Sequence, residues 1–132
     1  MVVPLSPPVL AFLGEKVIAH LSTLMKDGSP QVTPVWVSTD GENILVNTAA
    51  GRIKANNMQR DGRVAMSIMG LGNPNRAVYV RGRVTEVTEQ GANEHINELA
   101  TKYNGNTVYK LRDGETRLKV IIEPTHVLAK GV

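Results

Sequence analysis

The sequence predicts a mainly β fold: an antiparallel barrel of six strands with two or three peripheral helices. Three observations lead there. Short runs in which apolar and polar residues alternate recur along the chain, the period of a strand with one buried face. Asp-Gly pairs at Asp27-Gly28 and Asp40-Gly41 separate successive runs and signal the tight turns of a meander. Six short strands cannot leave both sheet faces wet, and closing them into a barrel removes most free edges. With 132 residues the chain suits a single domain, 1–132.

In chain order, residues 6–14 read as a short helix, with Ser6 as cap, Pro7 at the first helical position and Gly14 at the exit. Residues 16–24 form the first strand and 31–39 the second. Pro34 is a defect in that second strand, because proline cannot donate to a ladder; an edge, a bulge or a ligand groove would accommodate it. Residues 43–48 form the third strand. Residues 51–60 lack alternation and read as a polar helix. The fourth strand is 63–69, and 70–75 is a loop. The fifth strand is 77–87, with Gly82 as a bulge. Ile96, Leu99, Ala100 and Tyr103 recur at helical spacing over 91–103, ending at Asn104-Gly105. The sixth strand is 118–129, interrupted by Pro124.

Composition narrows the function. The chain has no cysteine, so disulfides, thiolate metal sites and cysteine nucleophiles are excluded, in keeping with a cytoplasmic protein. The N-terminus lacks a basic signal-peptide region, and no apolar run approaches the ~20 residues that span a membrane. The net charge of +3 suits an anionic partner. With five aromatic residues, base-stacking platforms are few, which argues against nucleic acid.

The chemistry concentrates in residues 47–63. A strand ends at Thr48, a small-residue turn follows, and a helix begins near Gly51. A helix start offers unpaired N–H groups and a positive dipole end, a natural anion site. Arg52 and Lys54 fall in the first turn, where acidic residues are usual, so two cations repel each other there. A bound phosphate would relieve that repulsion, and Thr48 could add a hydroxyl. A solvated basic helix start is the plainer reading.

Five segments in order carry a resemblance: G-x-P-x-x-T-P-V-W-V from Gly28 to Val37, the Asp40-Gly41 turn, the apolar strand ending in Thr48, G-R-x-K-x-x-N from Gly51 to Asn57, and R-D-x-R-V-A from Arg60 to Ala65. Together they resemble the pyridoxamine 5'-phosphate oxidase-like superfamily of FMN-binding split barrels, and within it the branch of coenzyme F-420-dependent enzymes. The resemblance covers residues 9 to about 88 well and the remainder in outline. It implies a homodimer with the flavin or deazaflavin at the subunit interface. It implies phosphate on Arg52 and Lys54, with Asn57 in the same motif. It places the ring against Thr33, Pro34, Val35 and Trp36, and against Val46, Asn47 and Thr48. Arg76, Tyr79 and Arg81 are candidates for reaching the partner's cofactor. The oxidases proper carry a basic C-terminal segment; this chain ends at Val132 without one, which argues against vitamin B6 oxidation.

No other machinery stands out. His20, His95 and His126 lie on separate elements with no metal spacing and read as satisfied or exposed. No GxSxG elbow surrounds any serine. Gly70-x-Gly72 leads into Asn73-Pro74 and not a helix, so it is no dinucleotide fingerprint. A cofactor carrying the hydride fits this scarcity, the protein supplying binding and orientation. The expectation is an F-420-dependent oxidoreductase acting on an unsaturated small molecule. The alternative is an FMN-binding protein, catalytic or not. The cluster Arg52, Lys54, Arg60 and Arg63 is expected to favour the polyanionic tail of F-420.

Overall fold

The computed structural model describes residues 1–106 and 108–132. Its elements are α1 (Pro7–Leu13), β1 (Ile18–Leu24), β2 (Pro30–Val35), β3 (Ser38–Thr39), β4 (Ile44–Ala49), α2 (Ile53–Arg60), β5 (Arg63–Met69), β6 (Ala77–Thr88), α3 (Ala92–Asn104) and β7 (Arg117–Lys130). The strands form one antiparallel sheet of seven strands, not six, in the order β2-β1-β5-β6-β7-β4-β3.

The extra strand arises within Gln31–Thr39, which the sequence predicts as one strand. The pairing breaks at Trp36-Val37, and the chain moves from one end of the sheet to the other. Only two residues bridge β2 and β3, the outermost strands. Three Cα steps span at most about 11 Å, so the two edges must lie close and the sheet must curl on itself. The result is a curled half-barrel with flanking helices.

Inside the curl, alternate residues of each strand meet. Leu21, Val37, Ile44, Val46, Ile68, Val78, Val120 and Ile122 are all essentially inaccessible, together with Phe12 and Leu13 of α1. Ser6 caps α1, accepting a bond from the Val9 N–H at 3.4 Å. β4 is buried on both faces. Ile44 and Val46 point into the core. On the other face Asn47 bonds to the carbonyl of Ala92 in α3 at 2.9 Å.

β6 and β7 pair over their length with two irregularities. Gly82 lies opposite Pro124, where Thr125 is the extra residue, so Pro124 sits at a bulge without ending the strand. A Cβ on Gly82 would meet the Glu123 carbonyl oxygen at 2.7 Å. Close strand approach, not an unusual φ, demands glycine there.

Candidate functional site

A cavity of about 380 Å³ opens where β4 gives way to α2. It falls within the usual size range of small-molecule sites. Its floor and walls come from separate stretches of chain: Pro34, Val35 and Trp36; Asn47; Arg52 and Lys54; Ile96 and Leu99 of α3; and Tyr109 and Arg117.

The helix start behaves as its composition dictates. Gly51 takes φ +89° to turn the chain out of β4. Arg52 is the N-cap of α2, and its donor-only side chain makes no capping bond. No acidic residue lies in the first turn. The helix therefore presents unsatisfied N–H groups beside two cations. Burial, then the charges of Arg52 and Arg117, hold the Lys54 ammonium below its ordinary pKa. An anion among these groups would remove the repulsion.

Arg117 is the deepest cation, with 4% of its side chain accessible. Its Nε donates to Asn47 Oδ1 at 2.8 Å and its Nη1 to Glu115 Oε2 at 2.7 Å. The guanidinium lies over the Tyr109 ring, 5.1 Å from its centroid. A backbone bond from Arg112 and the Arg117 bond hold the Glu115 carboxyl below its usual range. Sequence reasoning missed Arg117. The one available signal is its place opposite Ala49, and that appears only once β4 and β7 are paired.

Asn47 joins this arrangement to α3. Arg117 can only donate and the Ala92 carbonyl can only accept, so the Asn47 amide has one possible orientation. Its Nδ2 then faces His95 Nδ1 at 3.1 Å, making Nδ1 the acceptor. The ring proton sits on Nε2 and is donated to Ser38 Oγ at 2.9 Å. Burial, then Lys119 and Arg117, lower the His95 pKa to about 4. Ser38, His95 and Asn47 look like a hydrolytic triad, but the tautomer is reversed. A histidine that donates to serine cannot accept its proton.

Trp36 stacks on Tyr103 with centroids 5.1 Å apart and planes within 5°. Tyr103 is itself fixed, its hydroxyl donating to the Val17 carbonyl at 2.6 Å and accepting from the Val37 N–H at 3.2 Å. Trp36 is thus a braced aromatic wall of the cavity.

The structure brings together Pro34, Val35, Trp36, Asn47, Arg52 and Lys54 of the sequence-predicted site. The others lie elsewhere. Val46 faces the core. Asn57 is buried and tied to Thr23, Met25 and Arg60. Tyr79 lies on the outer face of the sheet, in a separate, larger open groove of about 790 Å³. Arg81 lies in that groove too, whereas Arg76 is held by both carboxylate oxygens of Glu15. Thr33 and Thr48 do not line the cavity, yet each has a buried hydroxyl without a partner.

The basic cluster divides. Arg60 donates to the Leu24 carbonyl and to Asn57, and Arg63 pairs with Asp61. Arg60 lies at the far end of α2 from Arg52, roughly 12 Å along the axis, and Arg63 follows at the start of β5. Only Arg52 and Lys54 of the four reach the cavity. The expected single patch for a polyanionic tail is therefore absent among the described residues.

Among the described residues no group of His, Asp or Glu is placed to hold a metal. Nor, among those residues, is any helix long and apolar enough to cross a membrane.

Comparison with known proteins places these features in context. The sequence matches the family described as pyridoxamine 5'-phosphate oxidase over residues 5–130. No curated protein matches the chain. Among solved structures, an F-420 reductase is similar, with a TM-score of 0.80 and 29% identity over 89% of this chain and 94% of that one. A conserved hypothetical protein from Mycobacterium tuberculosis has a TM-score of 0.75 and 23% identity, over 98% and 86% of the two chains. The heme storage protein HutZ from Vibrio cholerae shares the fold at a TM-score of 0.69 and 15% identity, over 98% and 96%.

Proposed function

Given that the chain belongs to the pyridoxamine 5'-phosphate oxidase family, we propose that its cavity holds the phosphate end of a flavin-type cofactor, coenzyme F-420 in preference to FMN, for an oxidoreductase acting on an unsaturated small molecule. The observation that carries this reading is the joining of Arg52, Lys54, the uncapped start of α2 and the braced Trp36 ring in one cavity. Arg52 and Lys54 would hold the phosphate, and Trp36 would lie against the flat part of the ligand. When bound, such a cofactor supplies hydride transfer. The residues around it bind, orient and exclude water. The choice of F-420 rests on the similarity to an F-420 reductase. FMN is the alternative ligand.

The cavity is open to solvent on one side, and a second copy of the chain would close it over a bound ring. On the outer face of β2, β1, β5, β6 and β7, the apolar side chains of Val32, Tyr79 and Leu128 are 60%, 42% and 63% exposed. They lie in adjacent rows of one face, with Pro34, His20, Ser67, Tyr79 and Leu128 side by side across five strands. That face suits a two-fold partner.

Titrating the purified protein with F-420 and with FMN, followed by absorbance and fluorescence, tests the reading. F-420 should bind more tightly. FMN binding as tightly would make this an FMN-binding protein, and binding of neither would leave only the fold.

A further inference from the structure

The cavity has a third cation that the helix-start motif does not contain, and it is the only one the fold locks in place. Arg52 is exposed and Lys54 half-buried, with no side-chain partner for either among the described residues. Arg117 is instead held by Asn47, by Glu115 and by the face of Tyr109. Those contacts use two of the guanidinium's five N–H donors. The other three have no protein acceptor among the described residues, and the side chain borders the cavity.

We propose that Arg117, on the C-terminal strand, is the anchoring ligand for a phosphate-class anion in this cavity, taking two of its oxygens in a planar fork while Arg52 and Lys54 close over the remainder. A guanidinium with its plane already fixed matches a phosphate edge better than a free side chain does. Charge counting points to the same ligand class. Arg52, Lys54 and Arg117 bring three positive charges, and Glu115 returns one negative charge. The net of about two suits a phosphate monoester dianion, or a diester with an adjoining carboxylate. The repulsion that lowers the pKa of Lys54 comes partly from Arg117, which places the three groups within reach of one another. Asn47, whose amide groups are turned to Arg117 and α3, then serves as a positioning residue and not as a cofactor contact.

The proposal rests on the reading of the cavity as a phosphate site, and the test separates the two. Pyrophosphate, FMN, F-420 and the phosphate-free riboflavin are titrated into wild type, Arg117→Gln and Glu115→Gln, with circular dichroism recorded for each. Arg117→Gln should weaken pyrophosphate and the phosphorylated cofactor at least tenfold and leave riboflavin unchanged. Glu115→Gln keeps Arg117 but removes a carboxylate beside the anion, so phosphate compounds should bind at least threefold more tightly. This second variant decides the matter if Arg117→Gln does not fold. Wild-type affinity for phosphate compounds in Arg117→Gln, or no change in Glu115→Gln, overturns the role of Arg117 and leaves the phosphate site standing. Failure of every phosphate compound to bind wild type overturns both.

Discussion

At a helix N-cap, Ser, Thr, Asp or Asn normally supplies an acceptor; Arg52 supplies donors to a region already rich in them. Local stability is thus forgone at the place where an anion is wanted. Lys54→Ala should lower affinity for a phosphorylated cofactor by roughly tenfold to a hundredfold, as for one charge-assisted bond. The melting temperature of the free protein should fall little or rise, since the ammonium is disfavoured there; calorimetry with and without ligand reads both effects. His95 gives a pH dependence with a definite sign. Its pKa falls from 6.5 in the unfolded chain to about 4 when folded. Between those values the unfolded chain binds more protons, so stability drops as pH falls through the window and is complete above it. The loss should approach roughly 3 kcal/mol, and denaturant midpoints at pH 7 and pH 4.5 measure it. His95→Gln should flatten that dependence. The arginine motif and the tryptophan were legible in the sequence because they lie within short ordered segments. Arg117 was not, because only the pairing of β4 with β7 brings it to Asn47 from 70 positions away.

The elements show the same division between local and distant causes. The helices were legible, α1 from its cap and exit glycine, α2 from its lack of alternation and α3 from its apolar spacing. The split of 31–39 into β2 and β3 was not. Alternation continues through Trp36-Val37, whereas hydrogen bonding changes partner there. The bulge at Gly82 was legible as a glycine within a strand, but its reason is spatial. A methyl group would collide with the Glu123 carbonyl and the Ile122 side chain, at 2.7 and 2.9 Å. Gly82→Ala should therefore destabilise the fold by about 1–3 kcal/mol, the usual cost of overpacking, with cooperativity preserved in a urea melt. A smaller loss than at an exposed glycine such as Gly72, where an added Cβ meets nothing, would contradict this account.

For the molecule as a whole, the uncovered outer face is the feature with a consequence for assembly. Leu128→Glu places a charge in the groove that Val32 and Tyr79 line. Light scattering should report a dimer for wild type and a species near 14.3 kDa for the variant. A monomeric wild type would remove the face from the proposed site. The sheet order carries a further consequence, one of timing. β3 and β4 join the other strands only through β7, the last strand in sequence. A ribosome adds roughly 5–20 residues per second, so the first six strands wait on an unfinished sheet until Arg117–Lys130 is made. The cavity, with Arg52 and Lys54 on one side of that seam and Arg117 on the other, is then assembled only after β7 has been made. A nascent chain stalled before residue 117 should bind no phosphate compound, and one released past it should begin to bind as soon as β7 docks.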